Sequence, residues 1–252
     1  MVERLSEHAH LKPRPGPIVL CIMDGVGIGD GSADDAVAQA HTPTLDHLMA
    51  TCPHLALRAH GVAVGLPSDD DMGNSEVGHN AMGAGRVFDQ GAKLVDAALA
   101  TGTAWRTAVW RGLVGGDTLH LIGLLSDGNV HSHVDHLYLL MGRAVEDGVA
   151  RVRLHLLTDG RDVPGRSAMT WMAPLESALA EHRLAGRDYA IASGGGRMLI
   201  TMDRYQADWG MVEAGWNCHV HGVGRPFSTA TEAIGILYAE DEDVTDQYLP
   251  AF

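Results

Sequence analysis

Residues 118–163 read TLHLIGLLSDGNVHSHVDHLYLLMGRAVEDGVARVRLHLLTDGRDV and carry one strand–helix–strand unit. The apolar run at 118–125 has the length of a strand. Leu137, Leu140, Met141, Ala144 and Val145 then recur at helical spacing over residues 134–147, and 152–157 is a second apolar run. Downstream the alternation continues, with a capped helix expected at 167–182, a short strand at 189–192 and a helix at 204–214. This rhythm predicts an α/β fold with a mainly parallel sheet covered by helices. Upstream, the continuous apolar run 17–23 ends at Asp24-Gly25 and predicts a buried strand. Thr42-Pro43 predicts a helix start, 55–59 a second strand, and 89–100 a helix stopped by Gly102. Ligands of such sheets gather beyond the carboxyl ends of the strands. The candidate loops are therefore 24–27, 126–133, 158–162 and 193–197.

The chain has 252 residues, 46% of them hydrophobic, which supports a core and excludes a disordered polypeptide. Its longest apolar run is too short to span a bilayer, and the polar leader before residue 17 has neither the form of a signal peptide nor that of an anchor. Three scattered cysteines without a C-x-x-C pair fit a reducing cytoplasm. The formal net charge of −14 and the lack of any Lys/Arg run argue against a nucleic-acid partner. An anionic substrate would need a few arginines concentrated locally against that field.

Each motif has a functional and a plain reading. Asp24 enters a glycine turn where a carboxylate can take a divalent cation, or can merely cap the turn. Gly25-Val-Gly27-Ile-Gly29 is not a G-x-G-x-x-G dinucleotide loop. Ser75, in 72–79 MGNSEVGH, is either a helix N-cap or a nucleophile above amides that welcome phosphate. His131, His133 and His136 follow a strand. A barrel with an H-x-H metal pair does not fit in the remaining length, so His133 and His136 are assigned to an exposed helix face, and His131 to acid/base or phosphate contact. Arg161 suits a carboxylate or phosphate, and Asp162 can move a proton or orient a hydroxyl; a self-paired surface couple is the alternative. Gly194-Gly195-Gly196-Arg197 reads as an anion nest with a guanidinium, or as a flexible turn. Arg204 is weak alone, and His219 and His221 alternate like one face of a strand, without assigned function.

Together the segments resemble the cofactor-independent (2,3-bisphosphoglycerate-independent) phosphoglycerate mutases. The resemblance rests on 22–27 IMDGVG, 65–67 GLP, 72–79 MGNSEVGH, 83–86 GAGR, 124–133 LLSDGNVHSH, 158–163 TDGRDV, and 193–198 SGGGRM with 201–205 TMDRY, in the family's order. The triple glycine is similar to the plant and trypanosomatid branch. The resemblance implies an alkaline-phosphatase-like domain carrying an inserted α/β domain: residues 1–88 as the first piece of the metal-binding domain and 89–252 as the inserted substrate domain. It implies a monomer that exchanges 2- and 3-phosphoglycerate through a phosphoserine. Ser75 would be that serine, and Asp24 and Ser75 would share one Mn2+ of the two divalent ions in a complete enzyme. His131, Arg161, Asp162, Arg197 and Arg204 would hold and reorient the glycerate. The family's further ligands and basic residues have no counterpart here, so the chain is expected to be incomplete and inactive alone. The alternatives are a catalytically dead anion-binding fragment, and a metal-dependent phosphatase or phosphopentomutase of the same superfamily.

Overall fold

The computed structural model of the chain describes residues 9–10, 12, 15–201 and 208–252. It divides into two compact units, Met1–Ala56 and Leu57–Phe252. In the first, the regular structure is two short helices, α1 (Ala36–Gln39) and α2 (Pro43–Thr51). Helix α2 starts at its proline as expected, but Thr42 does not cap it; its Oγ1 donates to Asp46 at 3.0 Å. The buried strand expected at 17–23 is not formed: the segment has no regular structure, and Ile18 is 84% exposed. The strand expected at 55–59 is also missing, with Leu55 at 83%. A strand persists only where a neighbour takes its N–H and C=O groups, and the one sheet among the described residues is built entirely from residues 119–196.

That sheet is parallel, in the order β1 (Leu119–Leu124), β2 (Arg151–Thr158), β3 (Asp188–Gly196). The second unit also holds α3 (Ser75–Ala84), α4 (Gly91–Ala100), α5 (Ala108–Val114), α6 (Val134–Glu146), α7 (Ala168–Leu184), α8 (Arg197–Ile200), α9 (Trp209–His221) and α10 (Ala230–Glu240). Pairing Leu119 with Val152, and Val152 with Tyr189, fixes which side chains share a face. Val152, Leu154 and Leu156 alternate onto one face and form the main core with Met141 and Ala144 of α6, Met172, Leu175 and Leu179 of α7 and Ile234 and Leu237 of α10. Leu157 joins a smaller cluster with Leu124, Ile200 and Cys218.

Three sequence expectations need correction here. Strand β3 runs to Gly196, well past Ala192, because the glycines pack rather than turn. A Cβ on Gly194 would lie 2.4 Å from the Phe252 ring, and one on Gly196 would lie 2.3 Å from the Gln247 carbonyl oxygen. Their amides donate to the carbonyls of Phe252 and Leu249, at 2.8 and 2.7 Å, so these two are not available for an anion nest. His219 and His221 lie on helix α9, not on a strand. Ser167 heads α7 but does not cap it. The buried Asp246 carboxylate accepts from the Ser167 and Ala168 amides, at 2.7 and 2.9 Å, and from the Tyr238 hydroxyl. Helix α10 was not expected at all, although Thr229-x-x-Glu232 is a capping box. Thr229 Oγ1 accepts from the Glu232 amide at 3.0 Å, and Glu232 reaches back to the Ser228 amide at 2.9 Å.

A polar chain crosses the sheet. His120 Nδ1 meets His155 Nε2 at 3.0 Å, His155 Nδ1 meets Ser193 Oγ at 2.7 Å, and Ser193 Oγ meets His219 Nδ1 at 2.8 Å. Burial holds His155 below the ordinary imidazole pKa, with the neighbouring His219 and His120 adding to the effect, and burial alone does the same for His219. The unfolded chain therefore takes up these protons near pH 6.5, where the folded chain resists them. Stability is fully present above that value and falls as pH drops below it. The urea midpoint is expected to be lower at pH 5.5 than at pH 7.5, and His219→Gln to shrink the difference; an unchanged difference in that variant would show that His219 is not a source of it.

Candidate active site

The candidate site is assembled where the loops after β1, β2 and β3 meet. The β1 loop is closed on itself: the Val134 amide donates to the Ser126 carbonyl at 2.8 Å, and Ser132 Oγ donates to the Leu124 carbonyl at 2.7 Å. Asn129 within it has φ 53°, the one positive φ among described non-glycine residues, a conformation that asparagine tolerates better than most. After β2, Asp159 is almost wholly buried and collects four donors. Ser126 Oγ donates to its Oδ2 at 2.7 Å; the amides of Arg161 and Asp162 reach its Oδ1 at 3.3 and 3.2 Å, as does Arg197 Nη1 at 2.9 Å. Burial pushes the Asp159 carboxyl up, but these donors outweigh it and hold the group below the usual carboxylate range.

Arg197, the first residue of α8, is 1% exposed, and its Nη1 donates to both Asp159 and Asp162, the latter also at 2.9 Å. Its Nε is buried without a hydrogen-bond partner among the described residues. Asp162 lies between Arg197 and His131, whose Nε2 is 3.7 Å from Asp162 Oδ2. A carboxylate set between a fixed guanidinium and an imidazole at the surface can accept a proton and pass it on. Thus three expected site residues, His131, Asp162 and Arg197, are brought together. Arg161 joins the loop through its amide, with its side chain exposed. Arg204 lies outside the described residues. Ser126 and Asp159, which the sequence marks only as members of these loops, form the buried floor of the site. A buried aspartate followed by two amides aimed at its oxygen leaves no periodic signal in sequence.

His133 and His136 do not simply face water. His133 is the N-cap of α6, its Nδ1 accepting from the Asp135 amide at 3.1 Å, and His136 pairs with Asp96 of α4 at 2.5 Å. Ser75 is the first residue of α3, and Asn74 takes the cap, its Oδ1 accepting from the Val77 amide at 3.0 Å. The cap reading of Ser75 is thereby removed. Its carbonyl meets His79 Nδ1 at 2.6 Å. Asp24 sits in the turn with Gly25, whose φ is 73°. No group of three or more His, Cys, Asp or Glu side chains among the described residues is placed to hold a metal ion. No helix among them is long and apolar enough to cross a membrane.

The model of the family "BPG-independent PGAM N-terminus" matches residues 92–252. A probable 2,3-bisphosphoglycerate-independent phosphoglycerate mutase of Leptospira interrogans is 51% identical over 246 residues, covering 95% of this chain and 45% of the relative. The 2,3-bisphosphoglycerate-independent phosphoglycerate mutase of Trypanosoma brucei brucei is 50% identical, covering 100% and 46%. That of the plant Mesembryanthemum crystallinum is 47% identical, covering 99% and 45%. The chain thus spans about half the length of the curated relatives it matches. A solved structure described as Leishmania mexicana phosphoglycerate mutase at low cobalt concentration superposes with a TM-score of 0.86 at 54% identity, covering 92% of this chain and 43% of that one.

Removing Arg197 strands two carboxylates, one of them almost wholly buried. Arg197→Ala is expected to lower the unfolding free energy by about 3–5 kcal/mol, measured by urea denaturation at neutral pH. A loss below about 1 kcal/mol would mean that the pair behaves like an exposed one.

Proposed function

The chain belongs to the BPG-independent phosphoglycerate mutase family, and from that membership we propose that it is the N-terminal part of an enzyme interconverting 2- and 3-phosphoglycerate through a phosphoserine. Trypanosomatid and plant enzymes stand among its relatives, in keeping with the triple glycine before Arg197. Residues 1–88 are the first piece of an alkaline-phosphatase-like, metal-binding domain, and 89–252 the inserted substrate domain. The start of the family match at residue 92 supports that boundary.

The observation that carries the reading is the position of Ser75. It opens a ten-residue helix whose cap is another side chain, at the end where backbone amides and the helix dipole favour a phosphate group. In this reading Ser75 Oγ attacks phosphorus and the phosphoryl group passes to the serine, then back to the other hydroxyl of the same glycerate. Asp162 moves the proton between the two hydroxyls, with Arg197 holding its carboxylate and His131 beside it. Arg161, Arg197 and Arg204, with His131, bind and reorient the anionic glycerate. A simple phosphatase has no need to retain the leaving acid, which is why Arg161, Asp162 and Arg197 favour a mutase.

Asp24 and Ser75 are this chain's share of the ligands for a divalent cation, Mn2+ in our reading. The cobalt in the description of the Leishmania structure supports a divalent metal. A carboxylate and a hydroxyl do not fill a coordination shell, and the described residues offer no further cluster. The residues present therefore do not fit the metal by themselves. The complete enzyme is taken as a cytoplasmic monomer; the exposed, unpaired Cys21 and Cys52 suit a reducing compartment.

The 252-residue chain alone, assayed with 3-phosphoglycerate and Mn2+, is expected to show no turnover; measurable mutase activity would refute the need for further ligands. In a full-length version, Ser75→Ala is expected to abolish phosphoryl transfer with unchanged circular dichroism, and retained activity would remove Ser75 as the nucleophile.

A further inference from the structure

Outside the site, one polar contact spans the second unit in a way that the proposed function does not use. Asn129 Nδ2 donates to Asp71 Oδ1 at 2.6 Å, across 58 positions of sequence. Both ends are held. Asp71 Oδ2 accepts from the Ser68 amide at 2.7 Å and from Ser68 Oγ at 2.8 Å, and the Asp71 carbonyl accepts from the Gly61 amide at 3.1 Å. Burial pushes the Asp71 carboxyl up, but the donors from Asn129 and Ser68 outweigh it, so the group is ionised at neutral pH. Close packing continues past it, since a Cβ on Gly73 would lie 1.9 Å from the Ala59 carbonyl oxygen. Four residues beyond Asp71 stands Ser75. At the other end, Asn129 belongs to the β1 loop that carries Ser126 and His131, and its left-handed backbone is a conformation that non-glycine residues take at a cost.

We infer that the Asp71–Asn129 hydrogen bond is a latch fixing the segment that presents Ser75 onto the loop that presents His131, with both partners acting as positioning residues. The inference rests on the reading of Ser75 as nucleophile for its purpose, but not for its test. A nucleophile on one segment and a substrate-contacting histidine on another are useful only in fixed register, because small displacements are costly in rate. The latch supplies a charge-assisted bond where the two segments meet. Asn129→Gly keeps the positive φ and removes the side chain that donates. Asp at 129 sets two carboxylates face to face. The exchanged pair Asp71→Asn with Asn129→Asp rebuilds the bond in reverse, and the amide oxygen introduced at position 71 can still accept from Ser68.

The experiment is amide hydrogen exchange, read by mass spectrometry on the 252-residue chain and the four variants Asn129→Gly, Asn129→Asp, Asp71→Asn and the exchanged pair. Exchange over residues 61–77 is expected to quicken about tenfold or more in Asn129→Gly and Asn129→Asp. Residues 151–158 of β2 should be unchanged, and the exchanged pair should return 61–77 to near its original rate. Unchanged exchange in Asn129→Gly overturns the latch. So does failure of the exchanged pair to restore protection, and so does a loosening of β2 together with 61–77, which would make the bond part of the general fold. Exchange needs no turnover, so these outcomes are independent of whether Ser75→Ala retains activity.

Discussion

The buried guanidinium of Arg197 is the constraint on which the site depends. An ion removed from water costs several kcal/mol unless its partners replace the lost hydration. Here one nitrogen serves two carboxylates, Asp159 and Asp162, while Asp159 is further satisfied by Ser126 and by two amides of its own loop. The loops after β1 and β2 and the start of α8 after β3 are thereby locked to one another through a single charge. Arg197 reaches that position because β3 runs straight through three glycines under the 247–252 segment, which any side chain there would push away. The glycines and the arginine form one device: the first admits the covering chain, and the second is buried as a result.

The strand–helix rhythm was legible because it rests on burial. Leu137, Leu140, Met141, Ala144 and Val145 all contribute to the core of α6, and 152–157 sits within β2. What was not legible depends on partners distant in sequence. The run 17–23 has the composition of a strand, but composition supplies no neighbour, and Ile18 and Val19 stand exposed. The far end of β3 is not legible in sequence because serine and glycine have poor strand propensity, and only the packing of Phe252 and Gln247 explains their use. Asp246 caps α7 from 78 positions away and left no local mark. Helix α10 is different, since its capping box was readable in Thr229 and Glu232.

The candidate site divides along the same line. His131, Asp162 and Arg197 were found because they fall beyond strand ends, and the topology of a parallel sheet brings such residues together. Ser126 and Asp159 beneath them were not singled out, as their importance lies in satisfying one another. Ser75 is the instructive residue. Its local sequence favours a helix cap over a nucleophile, and the neighbour overturns that: Asn74, an equally good cap, takes the role.

The charges of the cluster also limit what it can do unaided. Asp159, Asp162 and Arg197 sum to one negative charge, in a chain whose formal charge is already −14. Arg197 Nη1 already donates to both carboxylates, so within the cluster the guanidinium acts as their shared counter-charge. The arginine holds Asp162 in place beside His131, whose Nε2 lies 3.7 Å from Asp162 Oδ2. In the proposed reading, attraction of the anionic substrate falls to Arg161, exposed at the surface, to Arg204, and to a cation that Asp24 helps to bind.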